Sequence, residues 1–510
     1  MVEFNAASVG WHRPEYVTQC AVWEKVRDAA AGEEAVKAKT IQYLPKLGGH
    51  TIDANGQTLY NLYLQYAHWY GATARTLAGL RGLVFRKDPL KSIPDELTAY
   101  ENNITADGQS LMSFTKDVLM EVLQTNRCGI FIDFPHVEFR DDYSRADMEQ
   151  MNIRPYVRMY RAESIINWRT EAVDNETITT LVVLVETIDE PETDGFSIKR
   201  ITQYRVLYLD MDTGVYHQQL YQMRDGVDDA GALGGSVGGI QLIGDVVPLV
   251  NGEELSSIPF FPITDKGITW EITNSTLLPL VNTNISHYRN SANREQALIW
   301  TGNPTPVFSG YIGDTDESSI RLGSTEAVLL SNGGTAQFLE FTGQGIDPIK
   351  EVMLEKEEEM AVLGARIIAP EKRTAETAES AAIHRAGEQG VLADIANSLS
   401  DGLTRVLRFF GDFHGITDHA KVWIKLNTDF LPAPMSPEML KELAALYANN
   451  FISWRTYIYQ LQQGEILPLG TTSDSELVEI AQDMKNEKLA VLLETPVEKQ
   501  VVEGKTLKSV

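Results

Sequence analysis

Apolar positions in the first 127 residues recur at helical spacing. Residues 16–30 form one helical run, closed by Gly32. Leu59, Leu62, Tyr63, Tyr66, Tyr70, Ala74 and Leu77 follow at steps of three and four, which predicts a single apolar helix face. Its aromatic members read as core, not as a platform for stacking bases. Ser110 stands where it can cap a helix over 111–124, because a short hydroxyl side chain accepts from the free N–H groups of a first helical turn.

The period changes at Cys128. Residues 128–134 read as a strand, and 156–161, 177–186, 202–210 and 215–221 follow as stretches rich in Val, Ile, Thr and Tyr. Asp210-Met211-Asp212-Thr213-Gly214 predicts a hairpin turn, the acidic stretch 189–194 a loop, and the Gly- and Asp-rich stretch 225–239 a surface loop before a strand at 240–243. A β-rich block over 128–265 is thus set between helical ones.

In the second helical block, 277–299 predicts a helix with Pro279 in its first turn, where the missing N–H costs nothing. Gly302-Asn303-Pro304 stops it, and strand-like pieces follow at 306–308, 327–330 and 337–341. A helix then runs from Pro348 to about Ile368. Pro370 lacks an N–H and disfavours helix at Ala369, so this rod must end there. Thr374 and Thr377 offer caps to the next helix, over 377–411, which leaves Glu371, Lys372 and Arg373 exposed between two helix ends. The two helices differ in kind. The rod is only weakly amphipathic, so it predicts order supplied by neighbours or copies. The long helix carries the stripe Leu392, Ile395, Ala396, Leu399, Leu403, Val406, Leu407 and Phe410 and predicts burial. A strand at 421–426, helices from Ser436 and a polar tail at 498–510 complete the chain. The predicted fold class is α+β, mainly helical.

Composition narrows the function. A chain of 510 residues allows about three domains, and 43% hydrophobic with 23% charged residues permits a packed core. Lys and Arg number 44 against 71 Asp and Glu, a net charge of −27. A general grip on DNA works by displacing counterions with basic groups, so this balance excludes it. No apolar stretch is long enough to span a membrane. The N-terminal residues lack the charged and apolar regions of a signal peptide. Two cysteines, Cys20 and Cys128, are too few for a disulfide framework. A reducing, cytosolic setting is the expectation.

Catalytic motifs are sparse. The nine histidines show no i, i+4 metal pair, and His414 and His419 flank a turn with too few further ligands nearby. Gly234-Gly235-Ser236-Val237-Gly238 matches the nucleophile-elbow pattern, which makes a serine hydrolase using Ser236 a remote alternative. An elbow needs a strand before the serine and a helix after it; here a strand pattern follows. There is no phosphate-binding P-loop pattern. Glu357-Glu358-Glu359 lies mid-helix, where successive side chains diverge, so it predicts a solvated or channel-facing surface. No enzyme activity, metal or cofactor is expected.

Three segments carry a resemblance: Gly364-Ala365-Arg366-Ile367-Ile368-Ala369-Pro370, Thr377-Ala378-Glu379-Ser380-Ala381 and His287-Tyr288-Arg289-Asn290-Ser291-Ala292. With the order helix, β-excursion, helix, Pro-interrupted loop and long helix, the sequence resembles the portal proteins of tailed bacteriophages, the head-to-tail connector rings. The resemblance implies a wing over 1–276, helical to 127 and β-rich over 128–265. It implies a first stem helix at 277–303, a clip at 304–345 and a second stem helix at 346–368. A tunnel loop at 369–378, a long wing helix and strand at 379–430, and a crown with C-terminal tail at 431–510 would follow.

The resemblance further implies a homo-oligomeric ring, usually of twelve subunits, at the unique capsid vertex. The ring is assembled in the host cytoplasm and resides in the virion. It is a conduit for DNA packaging and ejection. Terminase large subunit, then head-completion or adaptor proteins of the neck and tail, dock on it; major capsid protein and scaffold are its other partners. Pro370, Glu371, Lys372, Arg373 and Thr374 would form the DNA-facing tunnel loop, and Lys350 and Lys356 would line the channel from the stem. Contact with double-stranded DNA would be transient and non-specific, and no membrane is involved. A minor head protein or another connector protein of the virion is the alternative.

Overall fold

A computed structural model describes residues 4–105, 107–134, 154–224, 239–250, 252–309, 333–340, 342–366, 390–430, 435–464, 466–467 and 473–494. The chain divides into two compact units, 1–84 with 91–428, and 85–90 with 429–510.

The first unit is a mixed α/β body. Helix α1 (Pro14–Ala31) begins with a proline in its first turn. Helices α2 (Ala54–Tyr66) and α3 (Ala72–Val84) follow, then α4 (Leu111–Thr125), where the Ser110 hydroxyl accepts from the Ser113 N–H at 3.2 Å as its sequence predicts.

The single helix expected through Leu59–Leu77 is two helices, broken between Tyr66 and Ala72. Ser291 from a later helix holds the break: its hydroxyl accepts from the His68 N–H at 3.0 Å and donates to the His68 carbonyl at 2.8 Å. The buried face of α2 is Gly56, Tyr60 and Tyr63, while Leu59, Leu62 and Tyr66 are 51%, 41% and 47% exposed. Spacing alone could not reveal that tertiary contacts end the helix and turn the second one.

Two antiparallel sheets form the body. Strands β1 (Cys128–Asp133) and β2 (Tyr156–Arg161) pair, and β3 (Ile165–Val173), β4 (Glu176–Pro191), β5 (Ile198–Asp210), β6 (Val215–Arg224) and β7 (Gly239–Val246) make a five-stranded meander. Strands β8 (Phe260–Thr264) and β9 (Gly267–Ile268) complete a four-stranded sheet in the order β9-β8-β1-β2. In β4, Leu181 and Val183 join a core with Trp23 of α1, while Val182 and Leu184 join Phe131, Tyr160 and Phe260 on the opposite face. Both faces of the meander are therefore covered, and its centre reads as a continuous apolar run instead of an alternating one.

The acidic stretch expected as a loop at 189–194 is partly strand. Asp189 pairs with Arg200 and Glu190 with Lys199 across β4 and β5, and opposite charges facing across a ladder favour pairing. The turn over Asp210–Gly214 is as expected: Gly214 takes a positive φ of 73° and its N–H bonds Asp210 O at 2.7 Å. The predicted loop at 225–239 lies, but for Gly239, outside the described residues. So do Ser236 and the whole Gly234–Gly238 motif.

Beyond the sheets come helix α5 (Leu278–Gly302), strands β10 (Thr305–Ser309) and β11 (Thr335–Leu339), helix α6 (Ile346–Arg366), helix α7 (Val391–Phe413) and strand β12 (Trp423–Lys425). The predicted apolar stripe of α7 is buried throughout, each of its eight residues at 0% exposure. Helix α7 lies against β8, β9, β12 and α4. Residues 377–389 of the predicted long helix, the strand piece at 327–330 and the tail at 498–510 lie outside the described residues.

The second unit holds α8 (Pro437–Ala448), α9 (Trp454–Gln463) and α10 (Ser473–Glu494). Ser436 and Ser453 cap the first two, each accepting from a backbone N–H at 3.2 Å. Tyr447 stacks on Tyr457 with ring centroids 4.9 Å apart, while Met439, Phe451 and Met484 stand exposed.

Candidate functional site: a helical hairpin prolonged by a β-hairpin

Helix α5 is rooted in the body and bare at its tip. Leu280, Val281, Asn284, Ile285, His287, Tyr288, Ser291 and Ala292 are buried, and no residue after Ala292 in this helix is. Helix α6 returns antiparallel along it. Leu280 and Met360 pack together with Ala72, Tyr70 and Leu363 at the root. Farther out, Lys356 Nζ donates to Ser286 Oγ at 2.8 Å, and His287 Nε2 stands 3.3 Å from Glu357 Oε1.

The antiparallel register carries on past the helix ends. Thr305 faces Leu339 and Ser309 faces Thr335, with three pairs between them. At 1.5 Å per residue, the 21 residues of α6 make a rod about 31 Å long. The two-stranded sheet at its end has no covering layer among the described residues: Phe338 and Leu339 are 63% and 65% exposed, and every side chain of β11 is exposed. A two-stranded hairpin is marginal by itself in water.

The inner stripe of α6 is Met353, Lys356, Glu357, Met360, Leu363 and Gly364, all buried or half-buried. It is narrow and partly polar, so charge enters the helix interface. Burial pushes His287 below its ordinary value, against the opposing pull of Glu357. Burial also lowers Lys356. Asn284 donates to Thr73 Oγ1 at 3.1 Å, tying the root to α3.

The residues singled out in the sequence fare differently. Lys350 is exposed near the start of α6, whereas Lys356 is half-buried and committed to Ser286 of the same chain. Pro370, Glu371, Lys372, Arg373 and Thr374 lie outside the described residues. The Glu357–Glu359 triplet is divided: Glu357 turns inward to His287, against the expectation of a wholly outward surface, and Glu358 and Glu359 turn outward. His414 Nε2 is 3.1 Å from the Tyr100 hydroxyl and His419 Nε2 is 2.6 Å from Asp412 Oδ1. Among the described residues no group of His, Cys, Asp and Glu is placed to hold a metal ion, and no helix is long and apolar enough to cross a membrane. Sequence reading missed the His287–Glu357 contact. Its one signal was a lone histidine on the buried face of a predicted helix.

Comparison with known proteins locates the same region. Residues 276–414 match the model of a family described as a domain of unknown function, DUF4055. This span holds α5, both hairpin strands, α6 and α7. No curated protein matches the chain. Among solved structures, it is similar to a chain from the neck of a native GTA particle computed with C12 symmetry. That likeness has a TM-score of 0.33 and 11% identity, over 84% of this chain and 98% of that one. It is similar also to a chain from the neck of an empty GTA particle computed with C6 symmetry, with TM-score 0.33 and 11% identity, over 80% and 93% of the two chains.

Proposed function

We propose that the protein is a phage portal protein, the ring at the unique capsid vertex through which DNA is packaged and ejected. One observation carries the reading: an antiparallel helix pair rises from a buried root, keeps its register into a bare β-hairpin and is followed by a buried helix. In a portal these are stem, clip and long wing helix. A polar rod and an uncovered two-stranded sheet make physical sense when copies stand side by side and cover each other. The clip would then receive terminase large subunit and later an adaptor protein. Major capsid protein and scaffold would meet the outer body. The portal itself performs no covalent chemistry and needs no cofactor.

The charge fits a conduit. A wall built from chains of net charge −27 repels phosphates and keeps DNA from sticking. Lys372 and Arg373 are the proposed local exceptions, giving contact that salt screens over about 8 Å.

Negative-stain images of the purified protein test the ring: annular particles with a central hole and about twelve subunits are expected. A compact 56.8 kDa species at every concentration would instead favour another virion structural protein. Replacing Lys372 and Arg373 with Ala should leave rings intact and change packaged genome length or particle stability. Wild-type values for both would remove those residues from the tunnel.

A further inference from the structure

Two surfaces of the first unit face solvent with opposite character. Helix α6 turns Glu351, Glu355, Glu358 and Glu359 outward, with Val352, Leu354 and Val362 among them, all exposed. Lys356 is folded inward onto Ser286, so no cation interrupts this face between 351 and 362. None of the four carboxylates comes within ion-pair distance of a cation among the described residues, although Lys356 feels the charge of Glu359. It is an acidic, apolar helix face that nothing covers among the described residues.

Helix α2 is the complement. No charged residue occurs from 54 to 74, and Leu59, Leu62 and Tyr66 stand out at helical spacing on its solvent side. Ile41 and Ile52 beside it in sequence are also exposed. A cation marks one end, where Lys46 Nζ donates to Gln57 Oε1 at 3.0 Å; at the other end Lys37 Nζ donates to Gln65 O at 3.0 Å and is paired with Glu33 at 2.7 Å. Within residues 33–84 there are five Lys and Arg against Glu33, Glu34 and Asp53, a small positive balance in a chain of net charge −27, with Lys37 and Lys39 already paired to Glu33 and Glu24. This is the opposite sign from the rest of the molecule.

We infer that the α2 face is the docking surface for the outer face of α6 from a second copy of this chain. Lys46, hydrogen-bonded only to the neutral Gln57, favours an acidic group at one end, the bare leucines favour an apolar occupant, and the same molecule supplies both on one helix. The lengths agree: α6 from 351 to 362 spans about 17 Å and the 13 residues of α2 about 20 Å. Two different patches meet in this contact, so it is head-to-tail and repeats from copy to copy until it closes into a ring. The inference rests on the ring reading above and assigns which surfaces build the ring. It also places the acidic face of α6 between subunits and not along the bore.

The test mixes two variants of the full-length protein. One carries Leu59→Ser, Leu62→Ser and Tyr66→Ser on α2. The other carries Glu351→Lys, Glu355→Lys and Glu358→Lys on α6. All six side chains are exposed, so circular dichroism should match the wild type. Each variant alone should lose rings, with association weakened about tenfold or more per contact. Mixed in equal amounts they should give a two-chain species by light scattering, because one intact α2 meets one intact α6. Lys46→Glu, a change at an exposed side chain, should give the same loss in milder form and covers the case in which a triple variant misfolds. Rings that survive either triple variant, or a mixture in which no two-chain species forms, overturn this contact and leave the ring reading standing. A wild-type chain that stays at monomer mass overturns both.

Discussion

Arg205 shows how much one buried charge can decide. Its guanidinium bonds Glu186 Oε1 at 2.8 Å and lies 3.5 Å from Asp133 Oδ2, with all three side chains almost fully buried. Burial alone would raise Glu186, but the charge and hydrogen bonds of Arg205, helped by Tyr160 and Gln203, hold it below the usual carboxylate range. Its folded value therefore lies under its unfolded one. The stability it adds is complete above about pH 4.3 and is lost as pH falls through the folded value. Arg205→Met leaves the Glu186 carboxylate buried without its cation, while Asp133 keeps Arg158 at 3.3 Å, and should cost about 3–5 kcal/mol. Its pH dependence should also reverse, with the variant gaining stability between pH 7 and 5 as Glu186 takes up a proton. Thermal melts across that range check both signs.

Two glycines make a second comparison at this scale. A Cβ on Gly129 would sit 2.2 Å from Phe260 Cζ and 3.0 Å from Ile165 Cδ1. That ring is held in the core between the sheets, so Gly129→Ala should cost about 1–3 kcal/mol. A Cβ on Gly402 would meet chiefly Ile263 Cδ1, at 2.3 Å, a terminal methyl that can rotate aside. Alanine is better than glycine inside a helix by about 1 kcal/mol, so Gly402→Ala should be close to neutral. Paired denaturant titrations decide whether the difference is as large as stated.

At the scale of elements, the α5–α6 hairpin is graded along its length. The root packs Leu280, Met360 and Ala72, whereas the outer turns bury nothing. Hydrogen exchange on dissociated protein should be slow near Met360 and fast near Ile346, because local opening follows buried contacts. Protonation should steepen the gradient. His287 faces Glu357 and Lys356 from α6 and feels His68 and the Tyr70 ring from the α2–α3 side. Its value is lowered by burial, so the unfolded state takes up the proton first and helix-pair stability falls as pH drops below about 6.5. Protection factors for α6, corrected for intrinsic rates, should fall between pH 7 and 5, and His287→Gln should abolish that dependence. A pH-independent wild type would show that the Glu357 contact cancels the burial cost.

For the molecule as a whole, sign and distribution of charge matter more than any single group. With 71 acidic against 44 basic side chains, purified protein should not shift the anisotropy of a labelled DNA duplex at physiological salt. Binding that weakens steeply with added salt would mean that enough cations converge on phosphates to overcome the net charge.

Residue patterns alone determined a great deal here. The Ser110 cap, the strand at Cys128, the hairpin turn at Gly214 and the buried stripe of α7 depend on local rules: caps, turns and periodicity act within a few residues. The order of helix, β-excursion and helix over 278–366 was legible for the same reason. Only the tertiary structure decided the rest. It broke the expected Leu59–Leu77 helix with a serine more than two hundred positions away, and turned Lys356 and Glu357 inward while leaving their neighbours out. It drew Asp189 and Glu190 into a strand through Arg200 and Lys199. In each case the deciding partner is distant in sequence, and a one-dimensional period carries the spacing of a face but not the identity of what that face will meet.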